Sequence, residues 1–128
     1  MRSNAMAALH ARLDESHPHS ALSPVARFEI MGAGPLACGR IVLQGAITAE
    51  SASALRGFLQ KVTVSPVAQW TIDMRGLVLL SAAGLCHLAR FANARRQQGA
   101  AMQVVGIHEN VYATLLDLDL LGIFAWTD

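Results

Sequence analysis

The chain has 128 residues, of which 53% are hydrophobic and 15% are charged, and its net charge is +1. This length suits one domain, and the composition is too apolar for a disordered chain. The near-neutral charge, with the basic residues scattered along the sequence, argues against nucleic acid as a partner. The longest apolar run, Leu77 to Cys86, is shorter than the ~20 residues of a membrane span. We therefore expect a cytoplasmic protein without direct membrane insertion.

The N-terminal segment predicts little regular structure. Residues 1–24 are interpreted as a tag remnant followed by a weakly ordered segment, with a short helix at Met6 to Leu13 as its one candidate element. The domain is assigned to residues 25–128. His17 and His19 lack a third ligand nearby, so no metal site is predicted.

From residue 25 onward, hydrophobic periodicity predicts the order strand, strand, helix, strand, helix, strand, helix. Thr48 is the expected N-cap of the first helix, and Gly99 is the expected stop of the second. The predicted strands are Arg27–Met31, Arg40–Gln44, Val67–Met74 and Met102–Val105. The first helix is predicted to begin after Thr48 and to carry Ala52, Leu55, Phe58, Leu59 and Val62 at helical spacing; the second spans Ala82–Gln98, and a third starts at Glu109, followed by an apolar C-terminal tail. On the second helix the expected buried stripe is Leu85, Leu88, Ala89 and Ala92, and the residues expected toward solvent are Arg90, Arg95, Arg96, Gln97 and Gln98.

This order indicates a single-domain α/β fold with a mixed sheet of about four to five strands and packed helices. The first two strands can pair as a hairpin with a longer loop. Trp70 to Val105 reads as one βαβ unit, whose two strands should be parallel. Cys38 and Cys86 show no metal or disulfide spacing and are expected to be reduced core thiols.

The sequence offers no catalytic constellation, so we expect a protein that is not an enzyme and needs no cofactor. It contains no nucleophile elbow, phosphate-binding loop or zinc-protease motif. Asp73 ends a core strand and could serve as a base, but such residues more often bond the backbone N–H groups of the next turn.

The segment Ser81 to Leu85 carries three small residues in succession at the start of a helix. Accessible backbone N–H groups at such a start suit an anion or a closely docked partner. Alternatively, Ser81 simply caps the helix while the small residues allow tight packing. Both interpretations are compatible with each other.

Residues Arg40 to Phe124 resemble the STAS domain (sulphate transporter and anti-sigma factor antagonist). Ile41 to Thr48 looks like the family's strand ending in Gly-Glu-Leu-Asp, and Thr71 to Leu77 resembles its Asp-Leu-Ser-Gly-Val strand and turn. Ser81 to Leu85 is similar to its Asp-Ser-Ser-Gly-Leu signature, and Gly99 to Gly106 resembles its closing strand.

The resemblance implies a bacterial, non-enzymatic, protein-binding module that regulates transcription through an anti-sigma factor that is also a serine kinase. Phosphorylation of a signature serine breaks that contact in the family. The acceptor position falls on Ala83 here, so the usual switch is lost, and Ser81 is the remaining candidate for phosphorylation. Thr48 replaces a family aspartate. The partner-binding residues implied are Thr48, Ser81, Ala82, Ala83, Gly84 and Leu85, with the exposed face of the helix to Gln98.

Two alternatives remain open. The resemblance also allows a STAS subunit of a membrane transport complex, for lipid or anions, or of a stress-sensing complex. The residues themselves leave room for an enzyme or small-ligand binder with a pocket near Ser81 and Asp73.

Overall fold

The computed structural model describes residues 8–13, 23–32, 37–65, 67–107, 109, 112–113 and 125–127. Within these ranges the chain forms six strands and two helices. In chain order they are β1 (Ala8–Arg12), β2 (Val25–Met31), β3 (Cys38–Ile47), α1 (Ala52–Val62), β4 (Gln69–Leu80), α2 (Ala82–Gln97), β5 (Ala101–Val105) and β6 (Ala125–Thr127).

The strands lie side by side in one mixed sheet, in the order in which they occur along the chain. β1, β2 and β3 are antiparallel neighbours, whereas β3, β4, β5 and β6 run parallel. Parallel neighbours need a crossover, which α1 supplies between β3 and β4 and α2 supplies between β4 and β5. The predicted α/β class, hairpin and parallel βαβ unit are therefore confirmed.

Both helices bury their apolar stripes against the same face of the sheet. Ile41 and Leu43 of β3 point into this core, while Arg40 and Gln44 alternate onto the other face. Gly99 follows the end of α2, as predicted. It adopts a φ of +87°, a left-handed backbone conformation that glycine tolerates best. The fully buried helix side chains include Leu55, Val62, Leu85 and Leu88.

β4 contains two β-bulges against β3. Two β4 residues lie between the pairs Val42–Asp73 and Gln44–Gly76, opposite a single β3 residue. A second shift between Leu77 and Leu79 leaves one extra residue in β4. Because a bulge redirects the side chains that follow it, the last part of β4 does not keep a simple inward and outward alternation.

Both ends of the sheet differ from the sequence-based prediction. Strand β1 replaces the short helix predicted at Met6 to Leu13, because pairing with β2 satisfies its backbone and Leu13 still reaches the core. Strand β6 occurs where an apolar tail was predicted, and it pairs with β5. Glu109, Tyr112 and Ala113 are helical. The rest of the predicted third helix, and His17 and His19, lie outside the described residues. The boundary at residue 25 stays a prediction.

Three side chains are placed differently from expectation. Arg95 was expected toward solvent but is only 6% exposed, because it lies seven positions after Leu88 on the inner side of α2. Cys38 and Cys86 are both only partly buried and do not belong to the core, contrary to expectation. The Sγ of Cys38 donates to Oε1 of Gln69 at 3.3 Å.

Candidate partner-binding site at the carboxyl ends of β3 and β4

The carboxyl ends of β3 and β4 meet at one edge of the sheet. The backbone N–H of Ser81 donates to the carbonyl of Ile47 at 2.8 Å, so the parallel pairing continues to the last residue of β3. Thr48 directly follows Ile47. The sequence-predicted residues Thr48 and Ser81 are therefore brought together, although 33 positions separate them in the chain.

Ser81 is the N-cap of α2, as predicted. Its backbone is extended, with φ of −69° and ψ of 159°, and its Oγ accepts a hydrogen bond from the N–H of Gly84 at 3.1 Å. The Ser81 carbonyl accepts the first helical bond from Leu85 at 2.9 Å. The hydroxyl thus satisfies one of the donors that a helix start leaves without an intrahelical partner.

Thr48 does not cap α1, contrary to prediction. Its N–H donates to Oγ of Ser51 at 2.9 Å, and its Oγ1 accepts from the N–H of Ser51 at 3.4 Å. These reciprocal bonds close a turn, and the helix begins after it at Ala52, with Ser51 as the N-cap. Ser51 occupies the N-cap position through its backbone alone, because its Oγ bonds to Thr48 and makes no capping hydrogen bond to the helix.

The predicted partner-binding residues divide into a surface layer and a buried layer. Ala82 and Ala83 are exposed, whereas Gly84 and Leu85 are buried. A Cβ atom on Gly84 would lie 3.0 Å from Cδ1 of Leu80, so this position needs a very small residue. Leu85 is fully buried, so Gly84 and Leu85 support the surface layer from beneath, and their part in partner binding stays a prediction.

Two exposed residues near Ser81 were not predicted from the sequence. Val78 and Leu79 are 57% and 42% exposed, and the buried Leu80 separates them from Ser81. The second β4 bulge explains this exposure, since it turns both side chains away from the core. The sequence feature that could have predicted this exposure is the run of four apolar residues from Leu77 to Leu80. In a strand whose side chains alternate between two faces, four consecutive residues cannot all be buried on one face. We call the surface residues here the end patch: Thr48, Val78, Leu79, Ser81, Ala82 and Ala83.

The end patch is uncharged, and positive charge borders it. His87 follows Ala83 by four residues and so lies next to it on α2. Burial, then the nearby charges of Arg56 and Arg90, lower the pKa of His87. The sequences of α1 and α2 contain no acidic residue to offset this field.

Asp73 does not belong to this site. Its Oδ1 accepts from the backbone N–H of Arg75 at 3.0 Å, as the sequence favoured, and both Arg75 and Arg40 form salt bridges with its Oδ2. The Arg75 guanidinium is the largest cause that holds the pKa of Asp73 far below its usual value. Eight residues of strand, about 26 Å at the rise of a regular strand, separate Asp73 from Ser81. This separation does not favour the alternative, left open by the sequence, of an enzyme or small-ligand binder with a pocket near Ser81 and Asp73.

Further features bear on ligands and membranes. The described ranges bring together no group of three or more histidine, cysteine or acidic side chains that could hold a metal ion. No helix in those ranges is long and apolar enough to cross a membrane.

The fold and the end patch define a small α/β domain that presents a helix N-terminus beside two parallel strand ends. The family profile described as "Mlab, STAS domain" matches residues 30–123. The chain belongs to the STAS domain family. Comparison with curated protein sequences gave no match.

Solved structures show the same fold. SpoIIAA, a cell fate determinant of Bacillus, in its phosphorylated form has a TM-score of 0.58 and 9% identity over 79% of this chain and 91% of its own. An anti-sigma factor antagonist from Mycobacterium paratuberculosis has a TM-score of 0.59 and 18% identity over 77% and 82%. The murine Slc26a9 anion transporter has a TM-score of 0.53 and 18% identity over 62% of this chain and 13% of its own. The fold therefore occurs both in antagonists and in a transporter.

Proposed function

We propose that this protein is a non-enzymatic regulatory module of the anti-sigma factor antagonist type, which binds a protein partner through the end patch. The observation that carries the proposal is the exposure of Ala82 and Ala83 at the capped start of α2, beside the end of β3. Small side chains there allow a partner backbone to approach closely. Exposed Val78 and Leu79 add the apolar area that a docking surface needs.

The partner we propose is an anti-sigma factor that is also a serine kinase. A partner surface that is neutral or acidic would complement the positive field of Arg56 and Arg90. The similarity to antagonists from Bacillus and Mycobacterium paratuberculosis supports this class of partner. No enzymatic step is proposed at the end patch, because it contains no titratable side chain.

The usual phosphoserine switch is proposed to be absent. The acceptor position of the family signature is Ala83, which has no hydroxyl group. Ser81 carries the nearest hydroxyl on α2, and that hydroxyl accepts the N–H of Gly84. Ser81 remains the candidate for phosphorylation, because a phosphate there would lie among the N–H groups of the helix start.

A second candidate is a STAS subunit of a membrane transport complex, for lipid or anions, or of a stress-sensing complex. The likeness to the murine Slc26a9 anion transporter favours it. In this role the end patch would contact a separate membrane protein, and the module itself would be cytoplasmic.

Affinity capture from the native cells tests both candidates. The tagged wild type is compared with Ala83→Glu, which adds charge to the end patch, and with Gln97→Glu, which adds the same charge about 21 Å away along α2. We expect Ala83→Glu to fold, because an acidic residue in the first turn is favourable to the helix dipole. We expect wild type and Gln97→Glu to retain an anti-sigma kinase that Ala83→Glu loses.

The outcomes separate the candidates. Recovery of transporter or stress-complex subunits without a kinase would replace the first candidate with the second. Equal recovery of every partner by Ala83→Glu and wild type would show that the end patch is not the docking surface. In the same cells, Ala83→Ser is expected to become phosphorylated at residue 83. Mass spectrometry of the wild type measures whether Ser81 carries a phosphate.

A further inference from the structure

A half-open cleft lies at the opposite end of α2 from the end patch. It has a volume of about 230 Å³ and lies at the amino ends of β4 and β5. Fourteen residues of helix, about 21 Å, separate it from Ser81. Its lining residues are Thr63, Ser65, Val67, Ala68, Trp70, Arg95, Gln98, Gly99 and Ala100.

Two of the three guanidinium nitrogens of Arg95 lack hydrogen-bond partners. Arg95 is only 6% exposed, and its Nε and Nη1 atoms are buried without a hydrogen-bond acceptor. Its Cζ lies 5.2 Å from the centroid of the Phe91 ring, which places the cation over an aromatic face. That contact attracts the charge but accepts neither N–H group, and a buried donor without an acceptor is destabilising.

We propose that this cleft binds a small carboxylate group, which pairs with Arg95. A guanidinium presents parallel N–H groups that match the two oxygens of a carboxylate. The cleft contains one cation and no acidic lining residue, so a singly charged group balances its charge. A phosphate monoester would bring nearly two negative charges and leave one of them unpaired in a largely buried site.

The remaining lining favours a short apolar stem on the carboxylate. Val67, Ala68, Trp70 and Ala100 provide apolar surface, while Ser65 and Gln98 supply polar side chains. The hydroxyl of Thr63 already donates to the carbonyl of Leu59 at 2.7 Å. The volume is below the usual range of drug-sized pockets, about 300–1,000 Å³, which suits a short-chain carboxylic acid or one acidic side chain of a partner protein.

Titration with butyrate, followed by the ¹H–¹⁵N resonance of Arg95 Nε, tests the proposal. The resonance is assigned by its absence from Arg95→Met. We expect a saturable shift in the wild type with butyrate, and none with sodium chloride at equal ionic strength. Arg90→Met removes an exposed arginine of the same helix and should leave the shift unchanged.

Unfolding in urea provides a second readout. Arg95→Met should be at least as stable as the wild type without butyrate, because it removes a buried charge that lacks a partner. Butyrate should raise the urea midpoint of the wild type, with affinity for Arg95→Met weaker by about tenfold or more. If Arg95→Met fails to fold, Ala68→Leu narrows the cleft from its exposed rim, keeps Arg95, and should weaken butyrate binding.

A capped glutamyl tripeptide distinguishes the two sources of the carboxylate. Tighter saturation by the peptide assigns the cleft to an acidic side chain of a partner protein, and tighter saturation by butyrate assigns it to a small molecule. An Arg95 resonance that responds to neither, or responds equally to chloride, would overturn the proposal. These readouts are independent of the end patch and of its partner.

Discussion

The side chain of Arg75 lies directly over the backbone of Gly106. A Cβ atom on Gly106 would stand 1.9 Å from Cγ of Arg75, and Gly106 has a φ of +74°. Arg75 in turn donates from Nε to Oδ1 of Asp73 at 3.0 Å and from Nη2 to Oδ2 at 2.7 Å. A glycine after β5 therefore provides both the turn and the space in which the guanidinium reaches Asp73.

Gly106→Ala is expected to destabilise the fold by more than the roughly 1–2 kcal/mol that the left-handed backbone conformation costs an L-residue. The new methyl group also displaces the Arg75 side chain, which weakens its ion pair with Asp73. Urea denaturation, monitored by tryptophan fluorescence, measures the loss.

Gly99→Ala is the matched control for this prediction. Gly99 also has a positive φ, +87°, but a Cβ atom there would meet nothing within 4 Å. Both variants place an L-residue in the left-handed backbone region, but only Gly106→Ala brings a methyl group against Arg75. Equal losses of stability in both variants would contradict the importance of the Arg75 contact.

Asp73→Asn is expected to lower the free energy of unfolding at pH 7 by about 1–3 kcal/mol, the range for hydrogen bonds to charged groups. Asp73 is buried and accepts from Arg75 and Arg40, and these bonds, Arg75 first, lower its pKa. Because the pKa is lower in the folded state, the stabilisation is present above about pH 4 and declines as the pH falls below it.

The pH dependence separates this effect from a simple packing defect. Over the range from pH 7 to pH 2, the urea midpoints of wild type and Asp73→Asn should approach each other only below about pH 4, where the unfolded carboxyl group binds a proton. Glu50→Gln removes an exposed carboxylate and serves as the control. A difference between wild type and Asp73→Asn that stays constant over this range would argue that the charge of Asp73 is not what stabilises the fold.

Leu85→Ala should destabilise the protein by about 2–5 kcal/mol, because it removes a fully buried side chain and leaves a cavity. Leu79→Ala, on the exposed end patch, should change stability by less than about 1 kcal/mol and weaken partner capture instead. Thermal and urea unfolding measure both variants. If Leu79→Ala were as destabilising as Leu85→Ala, Leu79 would belong to the core rather than to a docking surface.

Local patterns carried enough information for the central elements of the fold. The alternation at Arg27–Met31 marks a strand with one buried face, and the spacing of Leu85, Leu88 and Ala92 marks the buried stripe of α2. The N-cap at Ser81 follows from one hydroxyl before a helix. Each of these features is encoded by residues a few positions apart.

The features that escaped prediction depend on contacts between distant segments. Strands β1 and β6 each form at an edge of the sheet by pairing with a single neighbour, and a short segment alone does not encode that pairing. Val78 and Leu79 point outward because a bulge, defined only against β3, redirects them. Arg90 is a neighbour of His87 within α2, three positions further on, but Arg56 lies 31 positions before His87 and approaches it only when the two helices pack.

The burial of Arg95 was not predicted, for a different reason. Its distances of three and seven positions from Ala92 and Leu88 place it on the buried stripe of α2, and that spacing was readable. Residue type outweighed periodicity in the prediction, since arginine is usually exposed. A charged residue at a core position of a helix is therefore a useful signal for a site.

The protein should lose stability below about pH 6.5 through His87. Burial, followed by the charges of Arg56 and Arg90, lowers its pKa in the folded state, so the unfolded chain binds the proton more readily. The free energy of unfolding is therefore unaffected by His87 above the pKa of the unfolded chain. It declines as the pH falls from that value towards the lower pKa of the folded state. His87→Gln removes the titration, so its free energy of unfolding should fall less between pH 7 and pH 5. Arg90→Gln, which removes one of the two charges, should give an intermediate slope, whereas parallel curves for wild type and His87→Gln would show that other groups account for the acid sensitivity.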